Sequence, residues 1–422
     1  MSYKKIDIKE GIKLHILDTN KFKTNLIGIF LTTPLTRENV TFNAMIPAVL
    51  RRGTQNMQSL DIISLELEKM YGAIFDCGID KTGDNQILKF YLESINDLYL
   101  PEKEDILKQS IDKILEIVFN PLVEENSFNN EFCETEKANL KQIIESKIDN
   151  KAKYALERCI EEMYKGKEYG LYKYGYVEDL ENINNNNLYE HYNNLINECK
   201  IDIFISGNEL KNIENIIKEN KNIKKLQQRE EIYITPKESA NKENVEEKNI
   251  QESMNISQGK LVIGLDIHNQ EENTKYIAIV YKAILGGTAT SKLFQNVREK
   301  ASLAYSASSN YLKTKNNIFI RCGIEFENYN KALEIIKQQL EDMSNGKISE
   351  EEIENSKNTI ISTIKCIPDE QDTEITYYFG QELSNTNIDS EEYIKKVQEI
   401  TKEQVVNLSK NIKINTIYFL KN

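Results

Sequence analysis

The sequence repeats one pattern on either side of a charged segment, and this duplication is the feature that most constrains the fold. Gly53-Thr54 precedes Tyr71 by the same number of residues as Gly287-Thr288 precedes Tyr305. In both halves the Gly-Thr pair follows an apolar helical stretch and leads into a second helix. A pattern that recurs at a fixed offset indicates two copies of one structural plan. We therefore expect two related lobes, although the two halves share little sequence identity.

Composition changes sharply between residues 221 and 252. This segment is charged and poor in apolar residues, and Pro236 within it opposes regular structure. Such a composition is typical of an exposed linker. The sequence therefore predicts an N-terminal lobe at residues 1–220, a linker at 221–252 and a C-terminal lobe at 253–422.

Both lobes combine strands with helices. The apolar runs that predict strands are Lys13–Leu17, Leu26–Thr33, Ile87–Leu92 and Lys200–Ser206 in the first half, and Leu261–Ile267, Leu303–Lys313, Ile318–Glu325 and Asn415–Leu420 in the second. The helical stretches lie at about 60–70, 105–119, 127–147 and 152–164 in the first half, and at about 274–285, 291–300, 329–343 and 349–366 in the second. This mixture predicts the α+β class. We expect the helices at 105–164 to complete the cover of the first lobe.

Charge and cysteine content narrow the classes of function. The 422 residues carry a net charge of −13, so we do not expect a nucleic-acid partner, which would need clustered basic residues to meet its phosphates. The first residues lack the apolar core of a secretory signal, and no apolar run is long enough to span a bilayer. Six cysteines are scattered without metal-ligand spacing. This pattern predicts reduced, mostly buried thiols in a cytoplasmic protein that has no membrane partner.

One segment of the second half carries a family signature. The run from Gly286 to Tyr305 contains Gly-Gly-x-x-x-Ser-x-Leu-Phe-x-x-x-Arg-Glu-x-x-x-Leu-Ala-Tyr. It resembles the segment of insulinase/pitrilysin (inverzincin) metallopeptidases in which an arginine and a tyrosine grip the substrate peptide. The resemblance implies that Arg298 and Tyr305 bind substrate. It also implies two homologous insulinase-type lobes, each a mostly antiparallel sheet with helices packed on one face.

The zinc motif of that family is degenerate in this chain. The family places His-x-x-Glu-His on a helix just before a Gly-Thr pair, with histidines as ligands and glutamate as base. Counting back from Gly53, Ala44 and Ala48 stand at the histidine positions and Pro47 at the glutamate position. None of these side chains can bind zinc or accept a proton. Pro47 also predicts that this helix is kinked or begins near residue 47.

Other potential ligands do not complete a site. Lys141-Gln142-Ile143 stands near the position of the family's distal glutamate ligand, with Glu145 close by. The three histidines are His15 in an alternating strand, where we expect it to face solvent, His191 in a helical stretch, and His268 at a strand end. No histidine has another four residues away, so we expect no metal site.

The resemblance implies a non-catalytic, zinc-less subunit that pairs with a zinc-bearing paralogue. This chain would contribute chamber wall and the gripping Arg298 and Tyr305, zinc would be held only by the partner, and the substrate would be a peptide or unfolded protein. The isolated chain could form a homodimer. The Leu50-Arg-Arg-Gly-Thr54 run also resembles bacterial insulinase-like proteins associated with 5-aminopentanol modification of elongation factor P.

Alternatives remain open at the level of sequence. The chain could be an independent metal-dependent peptidase with an unrecognised site, or a non-enzymatic protein-binding scaffold. Arg298 could equally be a solvated helix end, and the ring of Tyr305 could lie in the core of a sheet.

Overall fold

The computed structural model describes residues 2–102, 104–230, 246–268 and 273–422. The elements of the first half are β1 (Ser2–Lys9), β2 (Ile12–Asp18), β3 (Thr24–Pro34), α1 (Val40–Leu50), α2 (Leu60–Lys69), β4 (Ile74–Thr82), β5 (Asn85–Ile95), α3 (Ile106–Phe119), β6 (Val123–Glu124), β7 (Ser127–Phe128), α4 (Asn130–Glu145), α5 (Lys151–Met163), α6 (Val177–Leu180), α7 (Asn185–Glu198), β8 (Lys200–Gly207), α8 (Ile213–Glu219) and α9 (Lys221–Lys225). Those of the second half are β9 (Lys248–Ser253), β10 (Gly259–Ile267), α10 (Thr274–Gly286), a π-helix (Phe294–Lys300), β11 (Ala304–Leu312), β12 (Asn317–Ile324), α11 (Tyr329–Ser344), α12 (Glu350–Cys366), α13 (Gln371–Leu383), α14 (Ser390–Gln398), α15 (Lys402–Lys410) and β13 (Ile412–Lys421).

Two units, each built on one large sheet, make up the described chain. The first contains the six-stranded sheet β1-β2-β8-β3-β5-β4, and the second contains the five-stranded sheet β11-β12-β10-β13-β9. In each sheet one pair is parallel, β2 with β8 and β9 with β13, while the other pairs are antiparallel. Read from β4 and from β11, the first five strands of the two sheets have the same order and relative directions, and β1 is an additional edge strand of the first sheet. This shared topology confirms the predicted α+β class and the two related lobes.

The main core of each unit lies between one face of its sheet and a layer of helices. In the first unit, residues of β3 such as Ile27, Ile29 and Leu31 pack with apolar residues of α1, α3 and α7. In the second, Leu261, Ile263 and Leu265 of β10 fill the same role against α10, α11 and α15. Because successive strand residues point to opposite faces, these runs leave alternate residues on the second face.

Among the described residues, one helix packs on the second face of each sheet, and it comes from the other half of the sequence. Helix α13 packs on β3 and β8, where Ile375 and Phe379 meet Phe30 and Phe204. Helix α5 packs on β10 and β13 of the second unit. The expectation that the helix near 152–164 covers the first lobe is therefore wrong, and helices do not lie on one face alone. An amphipathic stripe shows that a helix is buried but does not identify the sheet that buries it.

The predicted linker contains regular structure at both ends. Residues 221–225 form α9, and residues 248–253 form β9, an edge strand of the second sheet. The buried side chain of Arg229 donates to the carbonyl oxygen of Cys199 at 3.3 Å, and its backbone N–H donates to Glu10 O at 3.2 Å. Pro236 and the rest of 231–245 lie outside the described residues. The charged composition of this segment did not predict these contacts, because residues distant in sequence make them.

No helix among the described residues is long and apolar enough to cross a membrane. Four of the six cysteines are buried, Cys77 is half-buried and Cys366 is exposed, as the prediction of mostly buried thiols requires.

Candidate substrate-gripping site

Helix α1 occupies the position of the degenerate zinc motif. Most of its apolar side chains belong to the core of the first unit, while Ala48 is half-buried. Ala44 is only 7% exposed and packs in that core, and Pro47 is buried as well. The helix runs from residue 40 to residue 50 with Pro47 inside it, so it does not begin near Pro47. The carbonyl oxygen of Pro47 accepts from the N–H of Arg51 at 3.2 Å and from Cys77 Sγ at 3.4 Å. The contact with Arg51 is an i→i+4 helix hydrogen bond, so the helix continues past Pro47 although proline itself donates none.

The polar residues around α1 form pairs with one another. Asn43 accepts from His191 Nε2 at 2.8 Å and donates to Gln86 Oε1 at 2.9 Å, in a buried chain of amides. Burial lowers the pKa of His191 to about 4, which keeps its ring neutral. Glu136 on α4 is bound by the guanidinium of Arg52. The pair neutralises a carboxylate that sequence reasoning did not single out.

The other potential ligands do not converge. Glu145 lies 3.9 Å from Lys141, and both side chains are exposed. His15 is completely buried, which corrects the expectation that it faces solvent. Its ring lies between Asp202 Oδ1 at 2.9 Å and Tyr3 Oη at 2.8 Å. Among the described residues no group of three or more His, Cys, Asp or Glu side chains could hold a metal ion.

Arg298 lies on the π-helix of the second unit. Leu293 and Val297 anchor this segment in the core, while the Arg298 side chain is 44% exposed. The guanidinium carbon lies 4.6 Å from the centroid of the Phe294 ring, and Nε lies 3.6 Å from Glu299. A cation–π contact with a ring restrains a guanidinium and leaves its N–H donors for other partners. The sequence predicted a helix here but contained no signal for its π geometry, which is frequent at functional sites.

Tyr305 lies on the edge strand β11, at a β-bulge. Ala304 pairs with Ile324 and Ser306 with Gly323, so Tyr305 is the extra residue between them. Its side chain is 64% exposed, which excludes the alternative that the ring lies in the core. The hydroxyl donates to Glu325 Oε1 at 2.9 Å, and this hydrogen bond raises the pKa of Tyr305. A bulge re-aims a side chain at a sheet edge, and here it presents the phenol to solvent.

The second unit therefore carries both residues of the signature on exposed, locally constrained backbone. The π-helix contacts β11, and the two residues are joined by a short turn in which Ser302 has a positive φ of 52°. An arginine fork and a phenol are both donors suited to a peptide carbonyl, for which the Tyr305 O–H would exchange its present acceptor, Glu325. Neither group can activate water, so this arrangement can bind a peptide but cannot by itself hydrolyse one.

Comparison with known proteins points to one family. Residues 182–360 match the model described as "Peptidase M16 inactive domain". The chain is 32% identical over 413 residues to "Probable inactive metalloprotease YmfF" of Bacillus subtilis (strain 168), which covers 97% of this chain and 96% of the relative.

Solved structures agree with that match. A conserved protein from Enterococcus faecalis V583 superposes with a TM-score of 0.88 at 26% identity, over 100% of this chain and 99% of the other. A peptidase M16 inactive domain from Pseudomonas fluorescens superposes with a TM-score of 0.78 at 16% identity, over 100% and 98%. At that identity the second likeness concerns the fold alone.

Proposed function

Because this chain belongs to the insulinase (M16) peptidase family, as one of its inactive members, we propose that it is the zinc-less subunit of a two-chain peptidase. It pairs with a zinc-bearing paralogue and contributes chamber wall together with the peptide grip of Arg298 and Tyr305. The proposal rests on a contrast in side-chain exposure between two sets of residues in this chain. The gripping residues are exposed on constrained backbone, whereas Ala44 and Pro47 are buried and apolar.

Each half of the proposal has its own physical support. A zinc peptidase needs converging ligands and a base for the bound water, so this chain would leave the metal and the water to its partner. Arg298 and Tyr305 would hold a substrate carbonyl by hydrogen bonds that strengthen as charge develops on the oxygen. The substrate would be a peptide or an unfolded protein.

Two narrower statements are part of the proposal. The cytoplasmic location rests on cysteine usage, since the cysteines are free and mostly buried. The association with elongation factor P modification stays a prediction, and its support is the general sequence similarity described above.

Co-expression with a His-x-x-Glu-His paralogue tests the proposal. The two chains should co-purify as one species by size exclusion, and together they should cleave a fluorogenic peptide. Arg298→Ala should lower the joint kcat about 100-fold or more, the usual loss when one donor to a developing oxyanion is removed. Lys300→Ala, on the same segment, is the matched control and should leave the rate unchanged.

Three outcomes would contradict the proposal. If the joint activity survives Arg298→Ala, the proposed substrate-gripping role of Arg298 is wrong. Stoichiometric zinc in the purified chain, with chelator-sensitive activity, would make it an independent peptidase. Failure to pair with any such paralogue would favour the alternative that the chain is a non-enzymatic protein-binding scaffold.

A further inference from the structure

The second face of the second unit's sheet is divided into an apolar part and a polar part. Residues Val262, Phe319 and Tyr418 pack under α5 together with Cys159 and Met163. Beyond that apolar cluster the same face carries polar side chains. They are Lys260 on β10, Arg321 on β12, and Ser306, Ser308 and Asn310 on β11.

Strand register brings these polar residues together. Arg321 is directly opposite Val262 on one side and Ser308 on the other. Lys260 pairs with Gly323, the residue two positions beyond Arg321, so it is a diagonal neighbour of Arg321, about 7–8 Å away along the backbone. A Cβ on Gly323 would lie 2.9 Å from Gln258 Oε1, which shows that this polar side chain lies over the same face.

Both cations of this patch lack a carboxylate partner within the described chain. Arg321 Nη2 donates to the Asn310 side-chain oxygen at 2.9 Å, and its buried Nε has no hydrogen-bond partner. Lys260 donates to Gln258 Oε1, and burial lowers its pKa.

Two other shielded cations of the second unit each meet a carboxylate. Lys292 binds Glu352 at 2.9 Å, and Arg158 binds Glu252 at 3.1 Å. A partly desolvated guanidinium costs free energy unless an anion meets it. No carboxylate among the described residues is paired with Arg321, which marks this as a place that an external carboxylate can fill.

We infer that Arg321, assisted by Lys260, binds a carboxylate of the peptide that Arg298 and Tyr305 hold, so that the preferred substrates are acidic at this position. The inference rests on the proposed function and names its substrate class. Ser308, opposite Arg321, is three residues from Tyr305, or about 10 Å along an extended strand. The carboxylate should therefore lie about three residues from the gripped carbonyl. It belongs to an Asp or Glu side chain or to the peptide's C-terminus.

Peptide binding to the full-length chain tests this inference. Fluorescein-labelled peptides of matched sequence would carry either one Asp or one Asn, each with a free or an amidated C-terminus, and anisotropy would report affinity. Arg321→Ala should weaken binding of the acidic peptides about 10- to 100-fold, the range for losing a hydrogen-bonded charge partner, and should leave the neutral amidated peptide unchanged. Arg321→Lys should restore part of the affinity, and Lys331→Ala, on exposed α11, is the matched control. Thermal unfolding of each variant would confirm that it is folded, and Arg321→Gln replaces Arg321→Ala if the latter is not.

The four peptides separate the possible results. If the peptides with Asp bind more tightly than those with Asn, the site recognises an acidic side chain. If a free C-terminus binds more tightly than an amidated one, the site recognises the C-terminal carboxylate. Equal binding of all four peptides, all weakened by Arg298→Ala, overturns the inference and keeps the proposed function. An equal loss for acidic and neutral peptides in Arg321→Ala overturns it as well. Absence of binding by every peptide overturns both proposals.

Discussion

At the scale of single residues, a buried charge network fastens α13 to the first sheet. Glu382 accepts hydrogen bonds from Lys13 at 2.9 Å and from Lys200 at 2.8 Å on one oxygen, and from Lys5 at 2.9 Å on the other. Lys200 also lies 3.5 Å from Asp202. Buried charges of this kind contribute less to net stability than to the choice of one arrangement, because an unpaired alternative is costly.

Glu382→Gln should destabilise the protein by about 3–5 kcal/mol, because it removes the charge that faces two buried lysines. Urea unfolding at pH 7 measures this. Glu209→Gln is the control, since Glu209 pairs with Lys211 on the surface, and this substitution should change stability by less than about 1 kcal/mol. Equal stability of wild type and Glu382→Gln would show that the network is not required.

The same variant predicts a pH dependence. Burial opposes ionisation of Glu382, but the lysine hydrogen bonds outweigh it and hold the pKa well below the ordinary value of 4.5. Since the folded pKa is lower than the unfolded one, the stabilisation is complete above about pH 4.5 and is lost as the pH falls below it. The difference in unfolding free energy between wild type and variant should therefore shrink on acidification. A constant difference from pH 7 to pH 3 would contradict this.

At the scale of elements, the second sheet accommodates α5 because the strand residue beneath this helix is a glycine, Gly264. Ala155, Cys159 and Met163 recur at helical spacing on the buried face of α5. Gly264 of β10 lies beneath them, and a Cβ there would be 2.9 Å from Met163 Sδ and 3.2 Å from the Phe319 ring. The close approach of helix and strand therefore depends on glycine at this position.

Gly264→Val should destabilise the second unit by at least about 1–3 kcal/mol, the usual cost of overpacking. Gly78→Val in β4 is the matched control, because no atom lies within 4 Å of a Cβ at that strand position. Circular dichroism during thermal unfolding compares the two. Similar melting temperatures for both variants would contradict the packing described for α5.

At the scale of the whole molecule, each of the two related sheets is covered by a helix from the other half of the sequence. The first unit is completed by residues 368–383, and the second by residues 147–170. Leu17, Phe30 and Phe204 are buried under α13, so a fragment that ends before it would expose them. Neither half of the sequence contains all of its own apolar cover.

Residues 1–230 expressed alone should therefore be unstable. The fragment should bind a hydrophobic dye and show no cooperative unfolding, because burying such side chains contributes about 1.5–3 kcal/mol each. Fusing residues 368–383 to its end through a flexible linker should restore cooperative unfolding, and the same fusion with Phe379→Asp should not. A fragment that unfolds cooperatively without the helix would show that the exchange is dispensable.

The sequence predicted most helices and strands because hydrophobic periodicity and the residues that end helices and strands are local signals. The strands at Leu26–Thr33 and Leu261–Ile267 lie within β3 and β10, and the helix expected at about residues 60–70 is α2, Leu60–Lys69. The predictions for His15 and α5 were wrong, since in each case a partner distant in sequence decides the outcome. Of the two alternatives for Pro47, a helix that begins near it is excluded, since α1 begins at Val40. Asp202 and Tyr3 bury His15, and the helix hydrogen bond from Arg51 N–H to the Pro47 carbonyl oxygen continues α1 beyond Pro47.

The sequence by itself determined the duplicated α+β plan, the family signature and the loss of zinc ligands at Ala44, Pro47 and Ala48, because each depends on residue identity and spacing. Tertiary structure alone decided which sheet each exchanged helix covers, how a bulge exposes Tyr305, and where Arg321 lies without a carboxylate partner from the part of the chain that the structure describes. Those outcomes depend on register and on contacts between residues far apart in the chain. Local sequence does not encode them, because the free energy that selects them is gained only when distant surfaces meet.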